Sequence, residues 1–259
     1  LRAAESGFDN AMFRLGESFA VRLPRWRAAA ELTEIEQRWL ITLSDRLPLP
    51  IPVPLRIGHP GCGFPWRWSV VPWFLGAAAD LEPPGVAQAG QLGEFLRALH
   101  TPAPEAAPRN PYRGVPLADR ARVVEERLSK VAERTNLITQ RIRDAWQAAL
   151  AAPLDAAPTW IHGDLRPRNV LTLEGAITAI IDWGEMGCGD PATDLASFWM
   201  LLPDATARDA ARSWYGLISP TTWLRARGWA IVFALALLEA GLAGNARNAT
   251  MGERILRRI

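Results

Sequence analysis

Apolar and polar residues alternate through Phe13-Arg14-Leu15 and again through Phe19-Ala20-Val21-Arg22-Leu23, on either side of Gly16-Glu17-Ser18. Alternation of this kind marks a strand and a short Gly-containing break marks a turn, so a hairpin is expected, closed by Pro24. From 28 to 43 the period changes. Leu32, Ile35, Trp39, Leu40 and Leu43 recur at helical spacing, which predicts one amphipathic helix. Pro48, Pro50, Pro52 and Pro54 follow. Alternating prolines build neither a helix nor a central strand, so 47–55 is expected to be an extended connector. Residues 66–71 read as a further strand ended by Pro72.

Beyond Gly76 the helical period dominates. Segments 86–100, 117–134 and 136–150 carry apolar residues at i, i+3, i+4 spacing and are separated by Pro/Ala-rich joints such as 101–111. Two short apolar runs, 170–173 and 177–181, flank Glu174-Gly175 and predict a small hairpin. Helices are expected again at about 191–202, 205–216, 221–243 and 246–258. The pattern therefore predicts an α+β chain with a small antiparallel part over 1–75 and a larger helical part over 76–259. The chain opens Leu1-Arg2-Ala3 without Met, so the natural protein is expected to start upstream.

Composition narrows the function. The chain has 259 residues, 49% of them hydrophobic, and a formal charge of +2, which fits a folded protein and excludes a disordered one. Its two cysteines, Cys62 and Cys188, form no metal or redox motif and read as free thiols in a reducing compartment, the cytoplasm. Of 29 Lys+Arg, Lys130 alone is lysine. It lies on a predicted amphipathic helix, which removes Walker A and Schiff-base chemistry. The arginines form no basic run, so nucleic acid is not an expected partner. The most apolar stretch, 229–238, is cut off by Glu239 and falls short of the about twenty residues a membrane span needs, so it is expected to be a core helix.

The densest polar cluster is His162-Gly163-Asp164-Leu165-Arg166-Pro167-Arg168-Asn169, followed after the predicted hairpin by Asp182-Trp183-Gly184. Folding the hairpin brings Asp164, Asn169 and Asp182 together. Two Asp and one Asn offer the hard oxygen ligands that Mg²⁺ takes beside phosphates and waters, with one Asp left over as a base. Phosphoryl transfer needs this arrangement.

These motifs resemble the aminoglycoside phosphotransferase family of small-molecule kinases, which has a bilobal protein-kinase-like fold. His162 to Asn169 resembles the family's H-G-D-x-x-x-x-N loop, and Asp182-Trp183-Gly184 its version of D-F-G. The resemblance extends over nearly the whole chain. Gly7-Phe8-Asp9-Asn10 is similar to the phosphate-covering hairpin, Glu36 to the helix glutamate that pairs with the strand cation, and Val71-Pro72-Trp73 to the hinge that holds a purine. The run 20–25 looks nearest to that of the macrolide kinases. The resemblance implies Asp164 as general base, His162 as orienter of the loop, Asn169 and Asp182 as Mg²⁺ ligands, and Arg22, Glu36, Val71, Trp73 and Asn10 on the nucleotide, ATP or GTP. Arg166, Arg168 and Glu185 are candidate acceptor contacts.

Two departures stand out. Arg22 occupies the kinase lysine's place, where it can still clamp phosphate oxygens bidentately, and no G-x-G-x-x-G covers the phosphates. Asp190, before Pro191, reads as a helix cap, and Asp194 as a first-turn carboxylate suited to the helix dipole. His59 and His100 carry no expected role. Residues 155–259 hold eleven Asp+Glu against ten Arg, a balance that favours a neutral or weakly charged hydroxylated acceptor over a polycation. The expected activity is transfer of a γ-phosphate to a hydroxyl of an antibiotic-like molecule (macrolide, nucleoside or aminoglycoside), conferring resistance or self-protection. A metabolic kinase acting on a sugar, choline or homoserine is the alternative. A non-catalytic nucleotide-binding protein is a more distant one, since a site without metal has little reason to keep mutually repelling carboxylates together.

Overall fold

The computed structural model describes residues 2–4, 7 and 9–259. Strands β1 (Arg2–Ala3), β2 (Asn10–Leu15) and β3 (Phe19–Pro24) lead into helix α1 (Arg27–Ser44), and β4 (Arg56–Gly58) and β5 (Trp68–Pro72) complete an antiparallel sheet of order β1-β2-β3-β5-β4. The β2–β3 hairpin pairs Phe13 with Val21 and turns through Gly16 at φ +61. Ala20, Val21 and Arg22 are consecutive and all buried, because β3 lies inside the sheet and is covered on both faces.

Helix α1 forms where the period places it, and its buried face only partly coincides with the predicted apolar positions. Ala29, Ala30, Thr33, Glu36, Gln37, Leu40 and Leu43 are buried, whereas Leu32, Ile35 and Trp39 lie at the edge of the contact. Three polar side chains can sit there because each is bonded, Thr33 Oγ1 donating to the Ala29 carbonyl at 2.9 Å. Gln37 donates to the Trp68 carbonyl at 3.1 Å and to Ser69 Oγ at 3.0 Å, while Glu36 meets Arg22.

The proline connector is extended as expected and buries Leu49 and Ile51. Its Pro50 carbonyl accepts from Ile180 N–H at 3.0 Å.

The remainder is helical around short strand pairs: β6 (Ala77–Ala78), α2 (Ala89–Leu99), α3 (Ala121–Ala132), α4 (Gln140–Ala151), β7 (Thr159–Ile161), β8 (Val170–Leu173), β9 (Ala176–Ile180), β10 (Gly187–Gly189), α5 (Ala192–Leu195), α6 (Ser197–Leu201), α7 (Ala205–Tyr215), α8 (Pro220–Leu242) and α9 (Ala246–Arg258). The predicted hairpin is β8–β9, turning through Glu174 and Gly175, both with positive φ. The fold is thus the expected α+β architecture, an antiparallel sheet lobe and a helical lobe.

Some boundaries move. The helix expected at 136 starts at Gln140, because Thr135 and Leu137 spend their bonds on local turns. The helix expected over 191–202 is α5 and α6, joined at Ala196, where Trp199 N–H reaches back only three residues to the Ala196 carbonyl. Helix α8 contains the apolar run and is buried on all sides from Gly228 to Leu235; among the described residues no helix is long and apolar enough to cross a membrane. Pro220 occupies its first turn and Ser219 Oγ caps Thr222 N–H at 3.0 Å.

Candidate active site

The cluster at 162–169 is held at both ends by strand pairing. β7 pairs antiparallel with β10, Ile161 opposite Gly187, which fixes the entry to the loop. Val170 pairs with Ile180, and Ile181 N–H donates to the Asn169 carbonyl at 2.9 Å, so Asn169 and Asp182 leave neighbouring strands side by side.

Within the loop each residue type has a local cause. Gly163 has φ +82, and a Cβ there would lie 2.3 Å from the Glu185 carbonyl, so only glycine fits. His162 is fully buried. Its Nδ1 accepts from Asp164 N–H at 3.2 Å, which fixes the tautomer, leaving Nε2–H to donate to the Ile181 carbonyl at 3.0 Å. Its ring packs 4.6 Å from that of Trp183. The imidazole therefore ties the loop to the segment that carries Asp182.

Asp164 is 5% exposed. Its Oδ2 accepts from Asn169 Nδ2 at 2.9 Å and lies 2.8 Å from Arg166 Nε; its Oδ1 lies 3.4 Å from Arg113 Nη2. Burial pushes the Asp164 pKa up, Arg166 and Arg113 oppose the rise, and Asp182 adds to it. Asp182 is exposed, in the left-handed region at φ +63, a conformation that persists where the surroundings over-determine it. Here the next residue is pinned. Trp183 N–H donates to Glu36 Oε1 at 3.1 Å and its indole to the Ile180 carbonyl at 3.0 Å.

Glu36 is shared. Arg22 Nη1 lies 2.8 Å from Oε2 and Nη2 donates to Oε1 at 3.2 Å, so the expected strand–helix ion pair is present. Burial alone would lower the Arg22 pKa, but Glu36, with Asp182 and Asp9 behind it, holds it above the ordinary value. Asp9 is turned the same way. Burial, reinforced by Asp182 and Glu185, pushes its pKa up against Arg22.

The other predicted positions are mixed. Asn10 is buried, with Oδ1 lacking a partner among the described residues. Phe8 of the phosphate-covering segment lies outside the described residues, and Gly7 faces open space. Val71 is buried and paired with Ala20. Trp73 is half-buried; its N–H is taken by the Ser18 carbonyl at 2.8 Å, and Arg14 stacks 4.3 Å over its ring. Arg166 and Arg168 are half-buried in the loop. Glu185 is also half-buried, its Oε2 held by Asn110 Nδ2 at 2.5 Å.

Sequence reasoning missed three residues. Asp194 is more than a dipole partner: it is fully buried and accepts from His162 N–H at 2.6 Å and Gly163 N–H at 2.9 Å, with His100 Nε2 at 3.4 Å. His100, given no role from sequence, also meets Tyr215 Oη at 3.0 Å through Nδ1. Arg113, with Asn110 beneath it, comes from the Pro-rich joint before α3, where the signal was Gly114. That glycine has φ +67, and a Cβ would meet Gly189 Cα at 2.7 Å. Asp190 lies one residue before the N-cap, which is Pro191 and not Asp190 as expected; its Oδ1 accepts from Ala192 N–H at 3.1 Å, and its carboxylate pairs with buried Arg225 at 2.8 Å.

Among the described residues no three His, Cys, Asp or Glu side chains converge to hold a metal by themselves. Asn169 and Asp182 do present hard oxygens. The Asn169 amide nitrogen is spent on Asp164, leaving its oxygen to offer, and Asp182 has no ion pair among the described residues. Such a pair suits Mg²⁺, which usually takes one or two protein oxygens beside phosphates and water.

The sequence profile of the phosphotransferase enzyme family matches residues 1–229. Viomycin phosphotransferase of Streptomyces vinaceus is 44% identical over 63 residues, 21% of this chain and 22% of that protein, so the match spans about a fifth of the relative. The structure superposes on the GDP complex of aminoglycoside 2'-phosphotransferase-IIIa with a TM-score of 0.65 at 19% identity, covering 99% of this chain and 90% of that one. It also superposes on the macrolide 2'-phosphotransferase of Brachybacterium faecium with a TM-score of 0.62 at 24% identity, covering 98% and 90%.

Proposed function

Because this chain belongs to the phosphotransferase enzyme family, we propose that it transfers the γ-phosphate of ATP or GTP to a hydroxyl of an antibiotic-like small molecule, of macrolide, nucleoside or aminoglycoside type. The observation that carries this reading is Asp164, a buried carboxylate with Oδ2 fixed by Asn169 and Arg166, set beside the oxygen pair of Asn169 and Asp182.

The acceptor hydroxyl donates to Asp164, which orients its lone pair toward the γ-phosphorus. As the new O–P bond forms, the bond to the β-phosphate oxygen breaks, the nucleoside diphosphate leaves and the hydroxyl proton passes to Asp164. The transition state is loose, so positioning contributes more than basicity. The raised Asp164 pKa makes it a better proton acceptor than an exposed carboxylate. His162 and Asp194 hold the loop that presents it. Arg22, oriented by Glu36, serves the phosphates, and Asn10, Val71 and Trp73 border the nucleotide. Asn169 and Asp182 would hold Mg²⁺, which when bound neutralises phosphate charge. The same proposal divides the chain into a nucleotide-binding part over 1–75 and a catalytic and acceptor-binding part over 76–259. It also places the reaction in the cytoplasm, where nucleoside triphosphate is available.

Incubation with Mg²⁺ and ATP or GTP against macrolide, aminoglycoside, nucleoside and simple hydroxylated acceptors, read by mass spectrometry, should yield a singly phosphorylated product from one antibiotic class. Turnover confined to simple metabolites would shift the reading to a metabolic kinase. Tight nucleotide binding without any product would sink it.

A further inference from the structure

The two oxygens of Asp164 are unequally engaged. Oδ2 accepts from Asn169 at 2.9 Å and has the Arg166 guanidinium in ion-pair contact at 2.8 Å, whereas the one hydrogen bond to Oδ1, from Arg113 Nη2, is long at 3.4 Å. Oδ1 is therefore the less crowded oxygen, with more room for an incoming hydroxyl to donate. Arg113 is the group that this hydroxyl meets next.

Arg113 is built into place. Its backbone N–H donates to Asn110 Oδ1 at 3.1 Å, and Asn110 Nδ2 donates in turn to Glu185 Oε2 and to the Glu185 carbonyl. Its guanidinium lies 4.7 Å over the ring of Phe233, from helix α8. The side chain is 22% exposed, and Asp164 is its one side-chain acceptor among the described residues. The Arg113 backbone is thereby fixed, while the guanidinium keeps spare N–H groups for an acceptor.

Resting on the phosphotransferase reading above, we propose that Arg113 is a specificity-determining residue of the acceptor site. Its guanidinium selects an acceptor that carries an oxygen, neutral or anionic, on the carbon next to the reacting hydroxyl, and it rejects one that carries a protonated amine there. A hydroxyl oxygen donating to Oδ1 sits about 2.7 Å from it, and oxygens on adjacent carbons are close enough for one to donate to Oδ1 while the other accepts from Arg113. An ammonium in the same position meets a like charge that has donors and no acceptor.

The test uses matched acceptors that differ at that carbon alone: a ribonucleoside against its 3′-amino-3′-deoxy analogue, and 3″-deamino-3″-hydroxykanamycin against kanamycin. Each is assayed with wild type, Arg113→Gln and Arg113→Ala, with the phosphorylated position read by fragmentation and thermal melting used to establish that each variant is folded. Wild type should favour the member without the ammonium by about ten- to hundredfold in kcat/KM, the scale of one hydrogen bond to a charged group. Either variant should bring the ratio near one, chiefly through KM. A merely structural Arg113 would lower both members alike, so an unchanged ratio overturns the inference, as does a wild type that prefers the amine. Product with an unchanged ratio, or product only from amine-flanked acceptors, sinks the inference alone; no product from any acceptor, the macrolides of the panel above included, sinks the phosphotransferase reading and the inference with it.

Discussion

Asp164→Asn should lose phosphoryl transfer by about 10²- to 10⁴-fold, the range of a positioned general base, while nucleotide binding stays within a few-fold of wild type. The substitution keeps the shape and removes the charge. Its one remaining oxygen can still accept from Asn169, but its amide hydrogens then point at Arg113 and leave the acceptor hydroxyl without a proton acceptor. The fold should tolerate the change. Arg113 and Arg166 are 22% and 32% exposed and can turn toward water once the carboxylate is gone. Single-turnover transfer measured beside nucleotide titration calorimetry separates the two effects. Near-wild-type transfer would show that the base lies elsewhere.

The second large effect is on stability. Asp194→Ala should lower the melting temperature by on the order of 10 °C and abolish activity, even though Asp194 is fully buried behind the loop. Its carboxylate is the acceptor for two consecutive buried backbone donors, His162 N–H at 2.6 Å and Gly163 N–H at 2.9 Å. Truncation leaves both unsatisfied at about 1–3 kcal/mol each, against a total stability of about 5–15 kcal/mol, and a domain of this size loses about 2–4 °C per kcal/mol. Asp194→Asn retains one oxygen and should cost about half as much. Calorimetric melting of the three proteins checks the order. A melting temperature for Asp194→Ala within about 2 °C of wild type would mean that the loop finds other acceptors.

The contrast between these residues explains what the sequence could reveal. Asp164, Asn169 and Asp182 are legible because their partners are close in the chain or joined by one short hairpin. Asp194 accepts from residues 31 and 32 positions away, and in a linear reading it is indistinguishable from an ordinary first-turn carboxylate. Arg113 lies in a joint rich in proline, and its importance comes only from Asp164, 51 residues further on. The same distinction holds for the fold. The β2–β3 and β8–β9 hairpins and the long helices are periodic enough to read, but β4, β6, β7 and β10 have two or three residues each and exist only because a distant strand completes them. On α1, hydrophobicity pointed to the Leu32–Trp39 side. Hydrogen bonds across the sheet made Glu36 and Gln37 part of the buried face beside Leu40 and Leu43.

The Arg22–Glu36 pair has a practical consequence for detecting this enzyme. Reagents that tag nucleotide sites by acylating a nearby amine, such as nucleotides bearing an activated acyl phosphate, need an uncharged nitrogen nucleophile. The cation here is a guanidinium held above its already high pKa by a buried carboxylate, and it offers none. The sole lysine of the chain, Lys130, sits on α3 in contact with Glu239. Amine-directed profiling would therefore pass over a loaded, working site, and the same burial and pairing with Glu36 should make Arg22 slow to react with guanidine-directed dicarbonyls as well.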